Sequence, residues 1–388
     1  MFLIWLIISI LLVIAYGTLV IFYAIEWRNI TTYESEEISR NTTVSIVVAA
    51  RNESANIVKC LDSLLNQSYP SFLYEVILID DHSEDNTFSL ANSMGAKNLR
   101  VFHLSELIGN EGNINSFKKK AIEKGIDQSK AELIVTTDAD CFVNEKWLRT
   151  IVSFYEREAC QLIAAPVMFY EDESFIKKFQ SFDFCGMMVT TGALINSKKG
   201  NMCNGANMAY NRNAFHLVKG FADIDQYGSG DDVFLMHKIQ QKYDDGCKFL
   251  KSKQATVLTL AQPTVKSFFN QRIRWASKNK HFKDRSINIQ LALILTANVS
   301  IVLNLSAVIF CGLLNCLNPF LFWILIFQLV AKSIADFVYL STGTSFFKRN
   351  DLLWLFLPAQ FLHIVYISTV GIWGNISNYQ WKGRNYEK

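Results

Sequence analysis

The sequence lacks several patterns that identify common classes of protein. Its eight cysteines include no C-x-x-C pair and no cluster with histidine. This distribution argues against a zinc site or a disulfide framework and indicates buried, reduced thiols in a cytosolic compartment. The first strand-to-helix turn has no G-x-G-x-x-G pattern, which argues against a nicotinamide or flavin enzyme. The net charge of only +3 gives no indication of nucleic-acid binding.

Charged residues are also scarce, at 19% of the chain, whereas 50% of the residues are hydrophobic. The apolar excess lies at the two ends. Residues 2–25 are almost wholly apolar and, at about 1.5 Å per residue, long enough to cross a hydrocarbon core of ~30 Å. Because no basic segment precedes them, we expect a retained anchor rather than a signal peptide. Three further candidate spans are Ile287–Leu314, Pro319–Leu340 and Leu352–Trp373.

These segments predict an integral protein of the cell inner membrane with a cytoplasmic globular domain. The predicted divisions are a transmembrane anchor at 1–28, a linker at 29–42, the globular domain at 43–262, an interfacial helix region at 263–286, a C-terminal membrane region at 287–374 and a basic tail at 375–388. The basic loop Lys348–Arg349 and the basic tail should lie on one side of the membrane, which a single span between them forbids. We therefore expect one C-terminal segment to be re-entrant or interfacial.

The second of the three C-terminal spans carries two charges, Lys332 and Asp336. Four residues apart, they share one helix face and can pair with each other. The alternative is that they line a substrate passage, because charges inside a span usually face protein or a partner.

The middle of the chain alternates between strand and helix patterns. Buried strands are predicted at Val44–Ala50, Tyr74–Ile79 and Val101–Leu104, and a fourth starts at Leu133 and ends in Asp138. The last helix between them, Lys118–Ile126, is expected to stop at its glycine. This β-α alternation predicts an α/β, Rossmann-like fold with a mostly parallel sheet and right-handed crossovers.

Polar residues follow the first, second and fourth of these strands. Ala50-Arg51-Asn52-Glu53 follows the first, and Asp80-Asp81 ends the second. The carboxyl ends of adjacent parallel strands converge on one crevice, where an aspartate can accept hydrogen bonds from a nucleobase or a ribose hydroxyl. The alternative is helix capping by Asp81, Ser83 and Asn86.

Two further acidic pairs suggest chemistry. Asp138-Ala139-Asp140 follows the fourth strand, and its carboxylates could hold a divalent cation that bridges to a diphosphate. Asp231-Asp232 begins a helix pattern, where a carboxylate could take the proton of an attacking hydroxyl. For Asp231, helix capping is the alternative.

A basic and aromatic segment contains Gln271, Arg274 and Trp275. An arginine can bind diphosphate oxygens in a bidentate way, and a tryptophan can stack on a sugar ring. The alternative is a basic amphipathic helix at the membrane surface, with Lys266 and Arg272 among its charges.

In order and rough spacing, these five motifs resemble those of glycosyltransferase family 2, over about residues 44–282. The similarity is to its membrane-integrated, inverting members, such as cellulose, chitin and poly-N-acetylglucosamine synthases and ceramide glucosyltransferases. The resemblance implies a GT-A fold, a UDP- or GDP-sugar donor, and Mg²⁺ or Mn²⁺ as cofactor. Where the family usually has glutamate before the base, this chain has Asp231.

The resemblance also implies a role for each matched residue. The expected contacts to nucleotide and donor are Ala50, Arg51, Glu53, Asp80, Asp81, Lys119 or its neighbour Lys118, Asp138, Gln271, Arg274 and Trp275. The expected metal ligands are Asp140 and Asp138. The expected base is Asp232, next to Asp231. The expected acceptor contacts are Gly205, Asn207 and Trp275.

We therefore expect an inverting, metal-dependent glycosyltransferase that acts at the membrane on a lipid-linked or glycan acceptor. A processive polysaccharide synthase is the alternative within the same class, although the membrane region is small for one. An alternative from another class is a transporter or scaffold whose cytosolic domain only binds a nucleotide.

Overall fold

The computed structural model describes residues 2–35, 41–109, 116–170, 173–200, 202–224, 230–277, 285–316, 318–374, 379–381 and 384–386. The chain divides into two compact units. The first, here called the α/β unit, comprises Ile30–Glu171 and Leu194–Ala261. The second, here called the helical unit, comprises Met1–Asn29, Asp172–Ala193 and Gln262–Lys388. The sequence had placed residues 172–193 in the globular domain.

The α/β unit is built on a seven-stranded sheet. The strands of this unit are β1 Val44–Ala50, β2 Tyr74–Asp80, β3 Leu99–His103, β4 Leu133–Asp138, β5 Leu162–Ala164, β6 Val167–Tyr170, β7 Met208–Asn211, β8 Cys247–Phe249 and β9 Val257–Leu260. The sheet order is β3-β2-β1-β4-β7-β5-β8, and β6 pairs with β9 in a separate sheet. The strands β1 to β4 are mutually parallel, as predicted, whereas β7 runs antiparallel to β4.

Helices of the same unit cover the sheet and its connections. They are α2 Ile57–Leu65, α3 Thr87–Ser93, α4 Leu104–Ile108, α5 Phe117–Asp127, α6 Trp147–Glu158, α8 Arg212–Leu217 and α9 Asp231–Lys242. The core strands β1, β2 and β4 are buried along nearly their whole length, as expected for branched apolar strands in a parallel sheet. A short 3₁₀ turn, Gly205–Asn207, leads into β7.

The expected helix stop at Gly125 is wrong, because α5 continues to Asp127. A Cβ atom at Gly125 would lie 2.5 Å from Val47 Cγ1. The glycine therefore serves the close approach of α5 to β1 rather than the end of the helix.

The helical unit holds the apolar ends of the chain. Its elements are α1 Phe2–Asn29, most of α7 Phe175–Asn196, α10 Val265–Ala276, α11 Arg285–Leu313, α12 Pro319–Phe347, a 3₁₀ segment Asn350–Leu355, α13 Phe356–Trp373, and the hairpin strands β10 Tyr379–Trp381 and β11 Arg384–Tyr386. Among the described residues, four segments are long and apolar enough to cross a membrane: α1, α11, α12 and Asn350–Trp373.

Polar side chains in these apolar helices find partners within the unit. Lys332 donates to Asp336, and the hydroxyl of Tyr16 donates to the other oxygen of Asp336 at 2.7 Å. Asn304 Nδ2 donates to Gln328 Oε1 at 2.8 Å. The pairing that the sequence offered for Lys332 and Asp336 is thus present, and it satisfies groups that would be costly to leave alone in an apolar environment.

Candidate active site

The site begins at the carboxyl edge of the parallel strands. In the register of the sheet, Ala50 of β1 pairs with Asp80 of β2, and Ala49 pairs with Asp138 of β4. Because neighbouring strands are about 4.8 Å apart, Asp80 and Asp138 flank the end of β1 at a separation of about 10 Å. The predicted convergence of these residues on one edge is therefore observed.

A turn after β4 brings the two carboxylates of the D-x-D motif together. The backbone N–H of Cys141 donates to the carbonyl of Asp138 at 3.1 Å. Ligand atoms of Asp138, Asp140 and Cys141 then lie within 4.8 Å of one another. This spacing suits one divalent cation, and Mg²⁺ or Mn²⁺ prefers the two carboxylates. Burial raises the pKa of the Cys141 thiol, and Asp140 and Asp138 raise it further, so the sulfur is the poorer ligand.

Lys118 on α5 connects this turn to the start of α9. Its Nζ donates to Asp138 Oδ1 at 2.6 Å and lies 3.8 Å from Asp231 Oδ2. Burial alone lowers the pKa of Lys118, but Asp138 and Asp231 outweigh it and hold the pKa above its usual value. The site therefore contains a permanent cation between two carboxylates.

The first turn of α9 supplies the second acidic pair. Gly230, with φ of 91°, precedes Asp231 and Asp232. The carboxylate of Asp232 accepts from the N–H of Val233 at 2.8 Å and from the N–H of Gly205 at 3.2 Å. A Cβ atom at Gly205 would lie 3.2 Å from Asp231 Oδ2. Gly205 thus lets its backbone reach the acidic pair, and the two backbone donors orient Asp232.

Asp80 and Asp81 are almost fully buried, with 1% and 2% exposure. Asp80 Oδ2 accepts from the N–H of Ser83 at 3.2 Å and lies 3.4 Å from His103 Nδ1. Asp80 Oδ1 has no hydrogen-bond partner among the residues that the structure describes. A buried oxygen without a hydrogen-bond partner is suited to bind a ligand that donates a hydrogen bond to it.

Arg51 and Glu53 support the loops around Asp80 and Asp81. Arg51 Nη1 donates to the carbonyls of Asp81 and His82, both at 3.1 Å. The N–H of Glu53 donates to Thr87 Oγ1 at 2.7 Å. The residues between β1 and α2 are therefore tied to those between β2 and α3, which keeps the acidic edge in place.

The structure does not bring Lys119 or Asn207 to the acidic cluster. Lys119 is 2% exposed and donates to the carbonyl of Ile224 at 2.5 Å. Asn207 is fully buried and accepts from Trp147 Nε1 at 3.1 Å, while its amide donates to two backbone carbonyls. Both side chains serve the core. Of the two lysines that the sequence offered for the donor phosphate, Lys118 is the one that bonds to Asp138.

Gln271, Arg274 and Trp275 lie on α10 of the helical unit. Trp275 packs against Arg272, whose Cζ is 4.5 Å from its ring centre. Arg272 is 3% exposed and its Nη2 lies 2.9 Å from Asp183 Oδ2. Arg272 is therefore a buried ion-pair partner rather than part of a basic membrane-surface face. Sequence periodicity alone missed this pair, because Asp183 lies in a different helix.

Comparison with known proteins decides the family. The model described as "Glycosyl transferase family group 2" matches residues 133–366, and the one described as "Glycosyl transferase family 2" matches residues 45–218. The chain belongs to glycosyltransferase family 2. The resemblance and the enzyme class expected from the sequence are thereby confirmed.

Several curated proteins resemble this family 2 glycosyltransferase over part of their length. Glycosyltransferase AglE of Haloferax volcanii is 31% identical over 128 residues, which cover 32% of this chain and 40% of the relative. Beta-monoglucosyldiacylglycerol synthase of Trichormus variabilis is 27% identical over 250 residues, 63% of this chain and 50% of the relative. Poly-beta-1,6-N-acetyl-D-glucosamine synthase of Staphylococcus epidermidis is 24% identical over 60% of this chain and 53% of the relative. The chain thus spans about half the length of such relatives.

A solved structure resembles nearly the whole of this family 2 glycosyltransferase. It is the mannosyltransferase PcManGT from Pyrobaculum calidifontis, in complex with GDP-Man and Mn²⁺. The TM-score is 0.57 at 17% sequence identity, covering 95% of this chain and 99% of the mannosyltransferase. This similarity establishes the fold: the predicted GT-A architecture with apolar helices in both terminal regions is confirmed.

Proposed function

We propose that this family 2 glycosyltransferase is an inverting, metal-dependent enzyme of the membrane. It transfers a hexose or N-acetylhexosamine from a UDP- or GDP-sugar to a hydroxyl of a lipid-linked or glycan acceptor. The observation that carries the proposal is the position of Lys118, which lies 2.6 Å from Asp138 and 3.8 Å from Asp231. Donor-side and acceptor-side acids thus belong to one cluster.

On the donor side, Asp80 and Asp81 hold the nucleoside. The buried Oδ1 of Asp80 is the acceptor that a ribose hydroxyl or a base N–H would satisfy. Asp140, with Asp138, holds the cation, and a bound Mg²⁺ or Mn²⁺ supplies charge neutralisation for the diphosphate. The ammonium of Lys118 adds positive charge at the same place. From the family resemblance alone, Arg274 is assigned to the diphosphate and Trp275 to the sugar.

On the acceptor side, Asp232 acts as the general base. It takes the proton from the acceptor hydroxyl while that oxygen bonds to the anomeric carbon of the donor sugar. The bond from the anomeric carbon to the diphosphate oxygen breaks, and its electron pair leaves with the nucleoside diphosphate. This single displacement inverts the anomeric centre. The N–H groups of Val233 and Gly205 aim the carboxylate, which supplies orientation before the reaction.

The test is sugar transfer by the purified chain in detergent, with a panel of UDP- and GDP-sugars, Mg²⁺ or Mn²⁺, and membrane lipid extract. We expect release of nucleoside diphosphate from one donor together with a glycosylated product. Asp232→Asn should lower turnover by about 10²- to 10⁴-fold, and Asp140→Ala should remove most of it. Asp62→Asn, on an exposed position of α2, is the control and should leave turnover unchanged.

Three outcomes would contradict parts of the proposal. Near-normal turnover of a folded Asp232→Asn or Asp140→Ala variant would refute the role of that residue. A long homopolymer as product would favour the processive alternative. Nucleotide binding without release from any donor would favour a non-catalytic nucleotide-binding membrane protein.

A further inference from the structure

The turn after α11 has a specific backbone geometry. Asn315 is left-handed, with φ of 52°. The N–H of Cys316 donates to the carbonyl of Cys311 at 2.9 Å, and the N–H of Asn315 donates to the carbonyl of Gly312 at 3.2 Å. These two bonds define a Schellman motif, in which the side chains at the positions of Cys311 and Cys316 meet.

In this chain, both meeting positions are cysteine. Their thiol groups interact with each other, and Cys316 is exposed whereas Cys311 is half-buried. A disulfide needs Cα atoms about 4.4–6.8 Å apart and Cβ atoms about 3.5–4.5 Å apart. The backbone hydrogen bond of this turn holds the two cysteines close enough for a disulfide to form without movement of the helices.

Charge indicates on which side of the membrane the turn lies. Residues 312–319 carry no charge, whereas in the sequence Lys278, Lys280 and Lys283 precede α11, Arg285 begins it, and Lys348–Arg349 follows α12. Short basic segments remain on the cytoplasmic side. If α11 and α12 each cross once, the turn between them faces the extracytoplasmic side, where disulfides form and persist.

We propose that Cys311 and Cys316 form a disulfide on the extracytoplasmic face. Two thiols lose two protons and two electrons as one S–S bond forms. The electrons pass by thiol–disulfide exchange to a disulfide oxidant of that compartment, which becomes a dithiol. Four of the other cysteines, Cys60, Cys141, Cys160 and Cys247, are buried thiols of the α/β unit, as expected for a reduced cytosolic domain. The proposal does not depend on sugar transfer.

The first test counts thiols in the full chain. Cells are treated with a membrane-permeant alkylating agent before lysis, and the denatured protein is then labelled with a maleimide polymer with and without prior reduction. We expect reduction to expose two additional thiols in the wild type and none in Cys311→Ser/Cys316→Ser. Mass spectrometry should show the linked peptide lighter by two hydrogen atoms. Equal labelling with and without reduction would overturn the proposal.

The second test locates the turn. In Cys311→Ser, Cys316 is left with an exposed thiol, which a membrane-impermeant maleimide should label in intact cells. The double variant is the control and should show no such label. Labelling of Cys311→Ser only after permeabilisation would place the turn in the cytoplasm and would also overturn the proposal.

Discussion

At the scale of single residues, two adjacent lysines show how helix geometry divides function from stability. Lys118 and Lys119 are chemically identical neighbours, but successive residues of an α-helix point about 100° apart. Lys118 therefore reaches Asp138, whereas Lys119 is directed into the core and donates to Ile224. A motif that contains both cannot tell them apart, and only packing assigns the roles.

This division predicts opposite effects of one substitution at the two positions. Lys118→Met removes the cation bonded to an expected metal ligand, and such supporting contacts typically contribute about 10–100-fold to activity or metal affinity. For Lys118→Met we therefore expect turnover to fall by this factor, with little change in melting temperature. Lys119→Met should lower the melting temperature while the folded enzyme keeps its activity. A Lys118→Met variant with normal turnover would remove Lys118 from the site.

The sequence predicted that Asp80 and Asp138 share one edge of the sheet, for a physical reason. Asp80 and Asp138 end apolar strands, and parallel strands place their ends at one edge. Asn207 could not be assigned in the same way, because its hydrogen bonds reach Trp147 and two carbonyls that are distant along the chain. Contacts between distant residues, rather than local patterns, decided which polar side chains belong to the core.

Lys251 predicts a pH dependence of stability. It is 8% exposed, its Nζ donates to the carbonyl of Ile30 at 2.9 Å, and burial lowers its pKa to about 8. An unfolded lysine has a pKa of about 10.4, so between these values the unfolded chain binds more protons. The free energy of unfolding contributed by this group should therefore rise with pH across this window, by up to about 3 kcal/mol.

Thermal unfolding in detergent at several pH values checks this sign. Lys251→Met removes the titration and serves as the comparison. The stability of the variant relative to the wild type should be greatest below pH 8 and decline toward about pH 10.4. A difference that is constant with pH would show that the ammonium of Lys251 is not penalised in the folded protein.

At the scale of elements, α7 and α10 are joined by a buried ion pair. Asp183 lies 2.9 Å from Arg272, and Tyr366 of α13 donates to Asp183 at 3.5 Å. Arg272 stacks in turn on Trp275, with its Cζ 4.5 Å from the ring centre. The orientation of the helix that carries Gln271, Arg274 and Trp275 thus depends on an acid from another segment of the helical unit.

Breaking this pair from one side should be costly. Asp183→Asn leaves the buried charge of Arg272 without its partner, and Arg272→Met does the same to Asp183. An uncompensated buried charge of this kind typically costs about 3–5 kcal/mol. The double variant should recover part of the loss, because neither charge remains. Denaturant titration in detergent gives the coupling energy. The surface pair of half-buried Arg349 and exposed Asp351 is the control, and its loss should cost about 1 kcal/mol or less. Additive losses at Asp183 and Arg272 would contradict the interaction.

At the scale of the whole molecule, the sequence predicted two kinds of segment and the parallel arrangement of the first four strands. Both came from strong local signals: branched apolar runs for the sheet and long uncharged runs for the membrane. It did not predict that α7 joins the helical unit, since its 22 residues mix charged and apolar positions. Composition also fails to predict the topology of α13. The segment is apolar enough to span the membrane, but the basic residues on both sides of it disagree with a single crossing.

Contacts of α13 within the helical unit resolve this disagreement. The helix α10 has twelve residues, about 18 Å, which is too short to cross the membrane. We therefore expect α10 to stay on the face where α11 begins. If α11 and α12 each cross once, α12 ends on that same face, and α13 starts there. The end of α13 also returns there, because a Cβ atom at Gly374 would lie 2.6 Å from Ala276 Cβ, and α10 packs against α13 and β10.

This geometry predicts that α13 is re-entrant and that the basic tail lies in the cytoplasm with Lys348 and Arg349. Arg28, at the end of α1, would lie there too, with the N-terminus outside. A C-terminal epitope tag should then resist protease added to spheroplasts and be digested only after permeabilisation of the inner membrane. A tag at the N-terminus is the matched control and should be digested in spheroplasts. Digestion of the C-terminal tag from outside would show that α13 crosses the membrane, and the basic tail would then be an exception to the charge rule.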